Sequence, residues 1–272
     1  MRKNLVLLLI LVSAPVPYAL AGTGNPPIGA RAAALSGAAV TLADVWALSN
    51  NTAGIAGLKH IQFGAHFENR FGISAFNTAA FVAAIPTEKH GTFGIDAYRF
   101  GDELYSNQRV GIGAAHKLGF VSLGLKANVL QTRIEELGSH RAFVLDFGGQ
   151  ADLIKKLVFG AHVYNVTQAR MAGFADERIP TVLKAGLSYR PYERLMINAE
   201  TEKNIDYDAD FKAGAEYIIA ETVSVRAGFS TLTKSVTGGA GVKFRNFQAD
   251  YALGNQTALG FSNYLSVSYA FN

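Results

Sequence analysis

The chain has 272 residues, no cysteine and a formal net charge of +4. This length allows one all-β domain or barrel, and the lack of cysteine excludes disulfides, a thiolate nucleophile and a lipidated cysteine anchor. Arg2 and Lys3 lie in a predicted signal peptide. Without them the chain has 23 basic and 21 acidic residues, so its formal net charge is +2. The basic residues are scattered among acidic ones, so nucleic acid is not an expected partner.

The first 21 residues have the features of a secretory signal peptide. Two basic residues precede an apolar run from Leu5 to Val12, and Ala19-Leu20-Ala21 supplies the small residues of a cleavage site. The alternative, an uncleaved transmembrane anchor, is disfavoured because the run is too short to cross about 30 Å of hydrocarbon. We predict that residues 1–21 direct export and that cleavage follows the last alanine of this segment.

Residues 22–58 differ from the rest of the chain. The stretch Gly29–Ala38 is rich in small side chains, which allow close backbone packing. Asparagines between positions 50 and 58 offer side-chain caps and turns, and Arg31 and Asp44 are expected to form an ion pair. We predict that this segment is a compact plug inside a barrel, with a soluble lead-in helix as the alternative.

From Lys59 onward, apolar residues alternate with small or polar ones with a period of two. In Val121–Val129, for example, odd positions are apolar and even positions are Ser, Gly, Lys and Asn, as in a strand with two differently solvated faces. Segments of about nine to fourteen residues are long enough to cross a membrane, whereas soluble strands average about five or six. We predict about fourteen strands, near residues 60–70, 73–85, 91–100, 107–118, 120–133, 141–153, 157–168, 181–190, 194–203, 209–219, 222–231, 235–245, 246–254 and 262–271.

The predicted fold class is therefore all-β: a transmembrane antiparallel β-barrel over residues 59–272, with the plug in its lumen. A final strand in which Leu265, Val267, Tyr269 and Phe271 share one face suits barrel closure, although an ordinary strand of a soluble sandwich is the alternative. The 18 Phe and 11 Tyr residues can occupy the two membrane interfaces. These features predict an exported protein of a Gram-negative outer membrane, with membrane lipid as a partner.

The inward-facing positions carry charges of both signs. The simplest interpretation is a paired network that fills the lumen and holds the plug; the alternative is a solute path lined by the same groups. The predicted lumen-lining residues are Lys126, Asp146, Lys184, Glu200, Lys212, Glu216, Arg226, Lys243, Arg245 and Asp250.

The sequence offers no clear site for catalysis or for a metal. The six histidines are isolated and lack metal-ligand spacing. There is no Gly-x-Ser-x-Gly elbow, and His66 with Ser74 is a pair that any barrel contains by chance. The glycines at positions 238–241 alternate within a strand and precede no helix, which does not fit a phosphate loop. We predict a non-enzymatic protein without a cofactor.

Three short motifs in the plug carry a family resemblance. Gly29–Ala38 is built around Gly-x-Arg-Ala followed by a second glycine, Ala43-Asp44 follows it, and Asn51–Gly54 corresponds to an Asn-Pro-Ala-Gly motif with Thr52 in place of proline. Together they resemble the PorV/PorQ group of Bacteroidetes outer-membrane proteins, which is itself similar to the FadL long-chain fatty-acid transporters. The plug residues singled out by the resemblance are Gly29, Arg31, Ala32, Gly37, Asp44, Asn51, Ala53 and Gly54.

The resemblance implies a fourteen-stranded barrel that serves type IX protein secretion and surface attachment as an accessory or shuttle. Secretion components or a secreted cargo protein are then the expected partners. The alternative is a FadL-like channel with a hydrophobic small-molecule ligand, and a purely structural barrel is a third option. Because the chain is shorter than the best-known PorV/PorQ proteins, its extracellular loops are expected to be short, which weighs against docking through long loops.

Overall fold

The computed structural model describes residues 25–171 and 179–271, so the predicted signal peptide lies outside the described residues. Each strand pairs antiparallel with its neighbours in the chain, and the last pairs with the first, which closes the barrel. The predicted fold class is confirmed. The strands are β1 (Gln62–Asn69), β2 (Asn77–Thr87), β3 (Gly91–Gly101), β4 (Tyr105–Leu118), β5 (Val121–Ile134), β6 (Gly138–Ile154), β7 (Leu157–Tyr164), β8 (Val182–Tyr192), β9 (Leu195–Asn204), β10 (Asp210–Ala220), β11 (Val223–Ser230), β12 (Ser235–Phe244), β13 (Phe247–Gln256) and β14 (Gly260–Ala270).

Two predicted strand boundaries are wrong for local reasons. The second strand starts at Asn77 instead of residue 73, because Ser74–Phe76 forms a 3₁₀ turn. The seventh strand ends at Tyr164 instead of residue 168, because Asn165 has a φ of +58°. This left-handed conformation is one that asparagine tolerates better than most residues, and it turns the chain away from the wall.

The two ends of the barrel differ in their connections. At the end where β1 begins and β14 finishes, called the base here, the strands are joined by tight turns such as 119–120 and 221–222. At the opposite end, the top, the connections include 70–76 and 165–181. Bacterial barrels have short turns on the periplasmic side and longer loops outside, so the base corresponds to the periplasmic side.

The outer wall is apolar and the inner wall is polar. On the adjacent strands β4, β5 and β6 the outward side chains include Ile112, Leu125 and Phe143, which are 64%, 55% and 56% exposed. Between them lie buried inward residues such as Lys126 and Asp146. Exposed aliphatic and aromatic side chains at every second position are what a lipid-facing wall requires.

No helix among the described residues is long and apolar enough to cross a membrane.

The C-terminal strand closes the barrel at the base. The Phe271 amide donates to the Ile61 carbonyl at 2.8 Å, next to the first strand. The Phe271 ring lies edge-on to Phe63 and Tyr269, with centroid distances of 5.4 and 4.7 Å. An aromatic cluster of this kind on the outer surface suits the membrane interface.

The plug occupies the lumen as a series of short elements. They are α1 (Ala30–Ala34), α2 (Ala47–Asn50) and the 3₁₀ helix Thr52–Gly57. None is long enough to be stable alone, so the plug depends on contacts with the wall. Its main apolar cluster contains Trp46 and Leu48, which pack against inward residues of the first strands.

Candidate functional site: the plug and the lumen wall

Inward glycines allow the plug backbone to lie directly against the wall. A Cβ atom on Gly124 would stand 2.4 Å from the backbone nitrogen of Ala53, and one on Gly228 would stand 2.5 Å from the carbonyl carbon of Leu35. Neither place has room for any side chain. Eight of these glycines, the glycine belt, form four directly opposed pairs in neighbouring strands: Gly94 and Gly113, Gly124 and Gly148, Gly160 and Gly186, and Gly214 and Gly228.

Wall side chains satisfy backbone groups of the plug where it has no regular structure. One carboxylate oxygen of Glu200 accepts hydrogen bonds from the amides of Ala39 and Val40, both at 2.8 Å. The side-chain amide of Gln150 donates to the carbonyls of Val40 and Leu42, each at 3.0 Å. Buried backbone groups need such partners, so these bonds hold the non-helical part of the plug in place.

Replacing Glu200 with alanine is expected to loosen the plug without opening the barrel. Two buried amides lose their acceptor, and each unsatisfied group costs about 1–3 kcal/mol. The single tryptophan of the sequence, Trp46, is buried in the plug and reports its docking. We expect the urea midpoint of Trp46 fluorescence to fall, while the heat-modifiable gel shift of the barrel persists. The Thr201→Ala variant, altered at the adjacent outward position, should behave as wild type; an equal fall in both variants would contradict the assignment.

A buried ion-pair chain joins the plug to the wall near the base. The Arg31 guanidinium donates to both carboxylate oxygens of Glu216 at 2.8 and 2.7 Å and to Asp44 at 3.0 Å. Arg226 in turn bonds Glu216 at 2.5 Å and Asp250 at 2.7 Å. The predicted Arg31–Asp44 pair is therefore present. Among the ion pairs of the described residues, only Arg31 with Glu216 connects plug and wall.

Electrostatics keep the Arg31 side chain charged. Burial lowers the pKa of its guanidinium, but the carboxylates of Glu216 and Asp44 outweigh this effect, and the net shift of the pKa is upward. A cavity of about 190 Å³ lies beside this pair at the base and is lined by Lys243 and Gln248 among others. The ion-pair chain therefore borders this cavity at the base.

Two further charged groups fill the wall side of the lumen. Asp96 accepts from Lys126 at 2.7 Å and from Arg109 at 3.4 Å. Arg109 also donates to Asn25 at the start of the described plug, at 3.0 Å. Glu202 pairs with both Lys184 and Lys212, at 3.3 and 2.7 Å. Charges buried in this way need partners of opposite sign, and the alternating signs along the wall supply them.

Most of the predicted lumen-lining residues have buried side chains on the inner wall. Lys243 has the inward parity but lies exposed at the base, where it lines the cavity. The prediction for Arg245 is wrong: β12 ends at Phe244, and Arg245 lies in the turn with a φ of +52° and its guanidinium over the Phe244 ring. Extending the period of two past the end of the strand caused this error. The buried residues are Lys126, Asp146, Lys184, Glu200, Lys212, Glu216, Arg226 and Asp250.

The glycines of the plug motifs are at positions that need glycine. Gly29 has a φ of +97°, and a Cβ atom there would stand 2.7 Å from the Trp46 ring. Gly37 has a φ of +80°, and a Cβ atom on Gly54 would stand 2.3 Å from the carbonyl oxygen of Leu42. Left-handed backbone and close approach both favour glycine. The two alanines among the motif residues, Ala32 and Ala53, are buried in the plug.

Asn51 ties the last plug motif to the wall. Its side-chain amide donates to the carbonyl of Val40 at 2.6 Å and to that of Gly149 at 3.2 Å. Its side-chain oxygen accepts from the Ala53 amide at 3.3 Å, which caps the 3₁₀ helix. Thr52, which replaces the proline of the resembling motif, bonds the Leu48 carbonyl at 3.3 Å. The departure at this position therefore leaves the role of the asparagine unchanged.

Sequence analysis missed an apolar group at the top of the lumen. It consists of inward Leu130, Val144, Tyr164 and Val182, with Ile179 from the loop between β7 and β8. The signal was present, because Val129-Leu130 and Phe143-Val144 are apolar on both parities and so break the alternation. Such pairs indicate a place where the inner wall is apolar as well.

Metal and catalytic chemistry gain no support from the described residues. They contain no group of three or more His, Cys, Asp and Glu side chains that could hold a metal ion. His66 is buried in the lumen beside Trp46, with ring centroids 6.0 Å apart, whereas Ser74 lies in an exposed turn.

The barrel is similar to solved structures of outer-membrane channels. The toluene transporter TbuX of Ralstonia pickettii matches with a TM-score of 0.71 and 13% identity, over 91% of this chain and 99% of that one. The monoaromatic hydrocarbon channel CymD matches with a TM-score of 0.70 and 11% identity, over 90% and 98%. A Pseudomonas aeruginosa FadL homologue matches with a TM-score of 0.63 and 12% identity, over 91% and 99%.

No family model matches the sequence, and no curated protein matches it either. At such low identity, the structural likeness establishes a shared fold. The fold of this chain is that of a FadL-like barrel.

Proposed function

We propose that this protein is an outer-membrane channel for small hydrophobic molecules whose lumen is closed at rest by the plug. The observation that carries the proposal is the apolar group at the top of the lumen, a buried cluster that includes no residue of the plug. Other inward apolar residues, such as Val82 and Ala115, pack against the plug, whereas this group packs against a loop at the top, where a hydrophobic solute entering from outside needs an apolar surface. The FadL-like fold, shared with hydrocarbon channels, supports the same assignment.

The position of the apolar group suits the capture of a solute at the outer side. Val144 and Val182 are fully buried, and Ile179 of the connecting loop covers them at 5% exposure. Directly below, Asp146 accepts from Asn128 at 2.7 Å, so the lining changes from apolar to charged within one inward step of β6. A hydrophobic solute is therefore held at the top until the plug moves.

The plug makes the resting barrel impermeable. Its backbone or side-chain atoms lie against each glycine of the glycine belt, and its fully buried side chains include Ile28, Leu35, Leu48 and Ile55. Packing at this density leaves no continuous passage for a solute. Transport therefore requires the plug to shift, which breaks the plug–wall ion pair and the hydrogen bonds that Glu200, Gln150 and Asn51 make between plug and wall.

Uptake by cells tests this proposal. In a host that lacks its own hydrophobic channel, the wild-type barrel should raise the uptake rate of toluene and of a long-chain fatty acid about tenfold, since a tenfold change corresponds to about 1.4 kcal/mol of barrier. The Val144→Asn variant, polar at the apolar group, should lose most of this increase, and Val129→Asn, on the lipid-facing side of the neighbouring strand, should keep it. Folded barrel in the outer membrane without any uptake above the empty host would overturn the proposal.

The role in type IX secretion rests on the plug motifs alone. Arg31, Asp44 and Asn51 all bond within the lumen, where they stabilise the plug and are shielded from a protein partner. The motifs are therefore accounted for by plug packing. Affinity purification that recovers a secretion component from outer membranes, with no hydrophobic uptake, would favour secretion over the channel.

A further inference from the structure

The outward faces of all fourteen strands carry only four ionisable groups that are charged at neutral pH. All four are basic, and no outward position of a strand holds Asp or Glu. Each lies near the top end of its strand. The four are Arg99, Arg133, Arg141 and Lys203.

Three of these cations lie within the four adjacent strands β3 to β6, two of them in one polar row and the third just above it. In the outward register, Arg99 on β3 faces Gln108 on β4, Gln108 faces Gln131 on β5, and Gln131 faces Arg141 on β6. Arg133 lies two residues above Gln131 on the same strand. With strands about 4.8 Å apart, the row spans about 14 Å of the barrel circumference.

The row marks the upper edge of the lipid-facing wall. Two residues below it, the same register holds an apolar row: Ala97, Val110, Val129 and Phe143. Charged side chains on this surface are tolerated near the interface but costly at the membrane centre. The low cost of a charge at the interface explains why the four charged residues lie near the top of the wall. It does not explain why all four are basic.

The three guanidinium groups are available to an external anion. Arg141 donates to the side-chain oxygen of Gln131 at 2.9 Å, which orders it without neutralising it. No ion pair joins any of the three arginines to a carboxylate within the part of the chain described by the structure. Lys203 differs because its ammonium bonds the Tyr207 carbonyl. The nearby loop tips do carry acidic residues, namely Asp102, Glu103, Glu135 and Glu136.

We propose that Arg99, Arg133 and Arg141, together with Gln108 and Gln131, form a binding surface for the phosphate groups of a phosphorylated glycolipid of the outer leaflet. Guanidinium groups bind phosphate through paired hydrogen bonds. The apolar row below would contact the acyl chains of the same lipid, and the polar row would contact its headgroup. The surface faces outward and is independent of the lumen, so this inference does not depend on which solute the channel carries.

The test is a lipid-binding titration of the refolded barrel in detergent, followed by native mass spectrometry. The probes are bisphosphorylated lipid A, dephosphorylated lipid A and phosphatidylglycerol. Wild type should bind bisphosphorylated lipid A most tightly, and the R99Q/R133Q/R141Q variant should bind it about tenfold more weakly, since three exposed charge pairs with phosphate, each modest in strength, are lost together. The variant should bind dephosphorylated lipid A as wild type does.

A matched control removes three cations at the opposite end of the barrel. The K155Q/K156Q/R245Q variant changes exposed residues in base turns and should bind all three lipids as wild type does. Heat-modifiable migration establishes that every variant is folded. Equal weakening in both triple variants, equal binding of phosphorylated and dephosphorylated lipid A by wild type, or equally tight binding of phosphatidylglycerol would each overturn the proposal.

Discussion

Replacing Gly148 with valine is expected to displace the plug and open the lumen to ions. A Cβ atom at this position would stand 2.0 Å from the side-chain oxygen of Asn51. Asn51 is buried, its side-chain oxygen accepts from the Ala53 amide, and its side-chain nitrogen donates to the carbonyls of Val40 and Gly149. Overpacking of this kind costs about 1–3 kcal/mol, and Asn51 cannot move without breaking its bonds. Acrylamide should quench Trp46 fluorescence more strongly in the variant, and planar bilayers should show a new ion conductance.

The neighbouring glycine provides a matched control. Gly149 points outward, and a Cβ atom there would have its nearest contact at 3.7 Å, with Leu123. The Gly149→Val variant adds the same volume on the lipid side and should keep the quenching and the conductance of wild type. If both valine variants conduct, the effect arises from the strand itself, and the role of the glycine belt in seating the plug is wrong.

Replacing Glu216 with alanine is expected to release the plug from the base. The change removes the shared partner of Arg31 and Arg226 and leaves two guanidinium groups with fewer carboxylates. Breaking a buried ion pair costs about 3–5 kcal/mol. The value should lie near the lower end, because the Arg31 side chain is 16% exposed. The free energy of plug docking can be measured as the urea dependence of Trp46 fluorescence in lipid vesicles.

The control for this variant is Glu221→Ala. Glu221 lines the same basal cavity but is exposed in the turn after β10 and forms no ion pair within the described residues. Its removal should leave the urea midpoint unchanged. The R31Q/E216Q double variant should lose less than the sum of the two single variants, because the residues interact directly. Additive losses would show that the pair does not couple the plug to the wall.

These expectations describe a plug whose stability is unevenly distributed over the lumen. Apolar packing and the glycine belt hold it around the barrel, while the charged contact at the base is a single bidentate pair beside a cavity. This pair is less completely buried than the apolar contacts, because 16% of the Arg31 side chain is exposed whereas Ile28, Leu35 and Ile55 are fully buried. Movement of the plug should therefore begin at the base.

The sequence by itself determined the barrel. A period of two over segments long enough to span a membrane predicts both the strands and their two faces, because side chains in a strand alternate by geometry. For the same reason the inward positions of Lys126, Glu200 and Arg226 could be read from parity alone. The same rule wrongly placed Arg245 on the inner wall, because alternation in the sequence does not show where hydrogen bonding between strands stops.

Only the tertiary structure decided which partners these residues have. Arg31 meets Glu216 across 185 positions of sequence, and Asn51 meets Gly149 across 98. Contacts at such separations depend on the path of the plug through the lumen, and no local pattern encodes that path. The inward glycines show both contributions. The sequence gives their positions on the inner face, and the tertiary structure gives the physical reason for glycine there, because plug atoms occupy the space that a side chain would need.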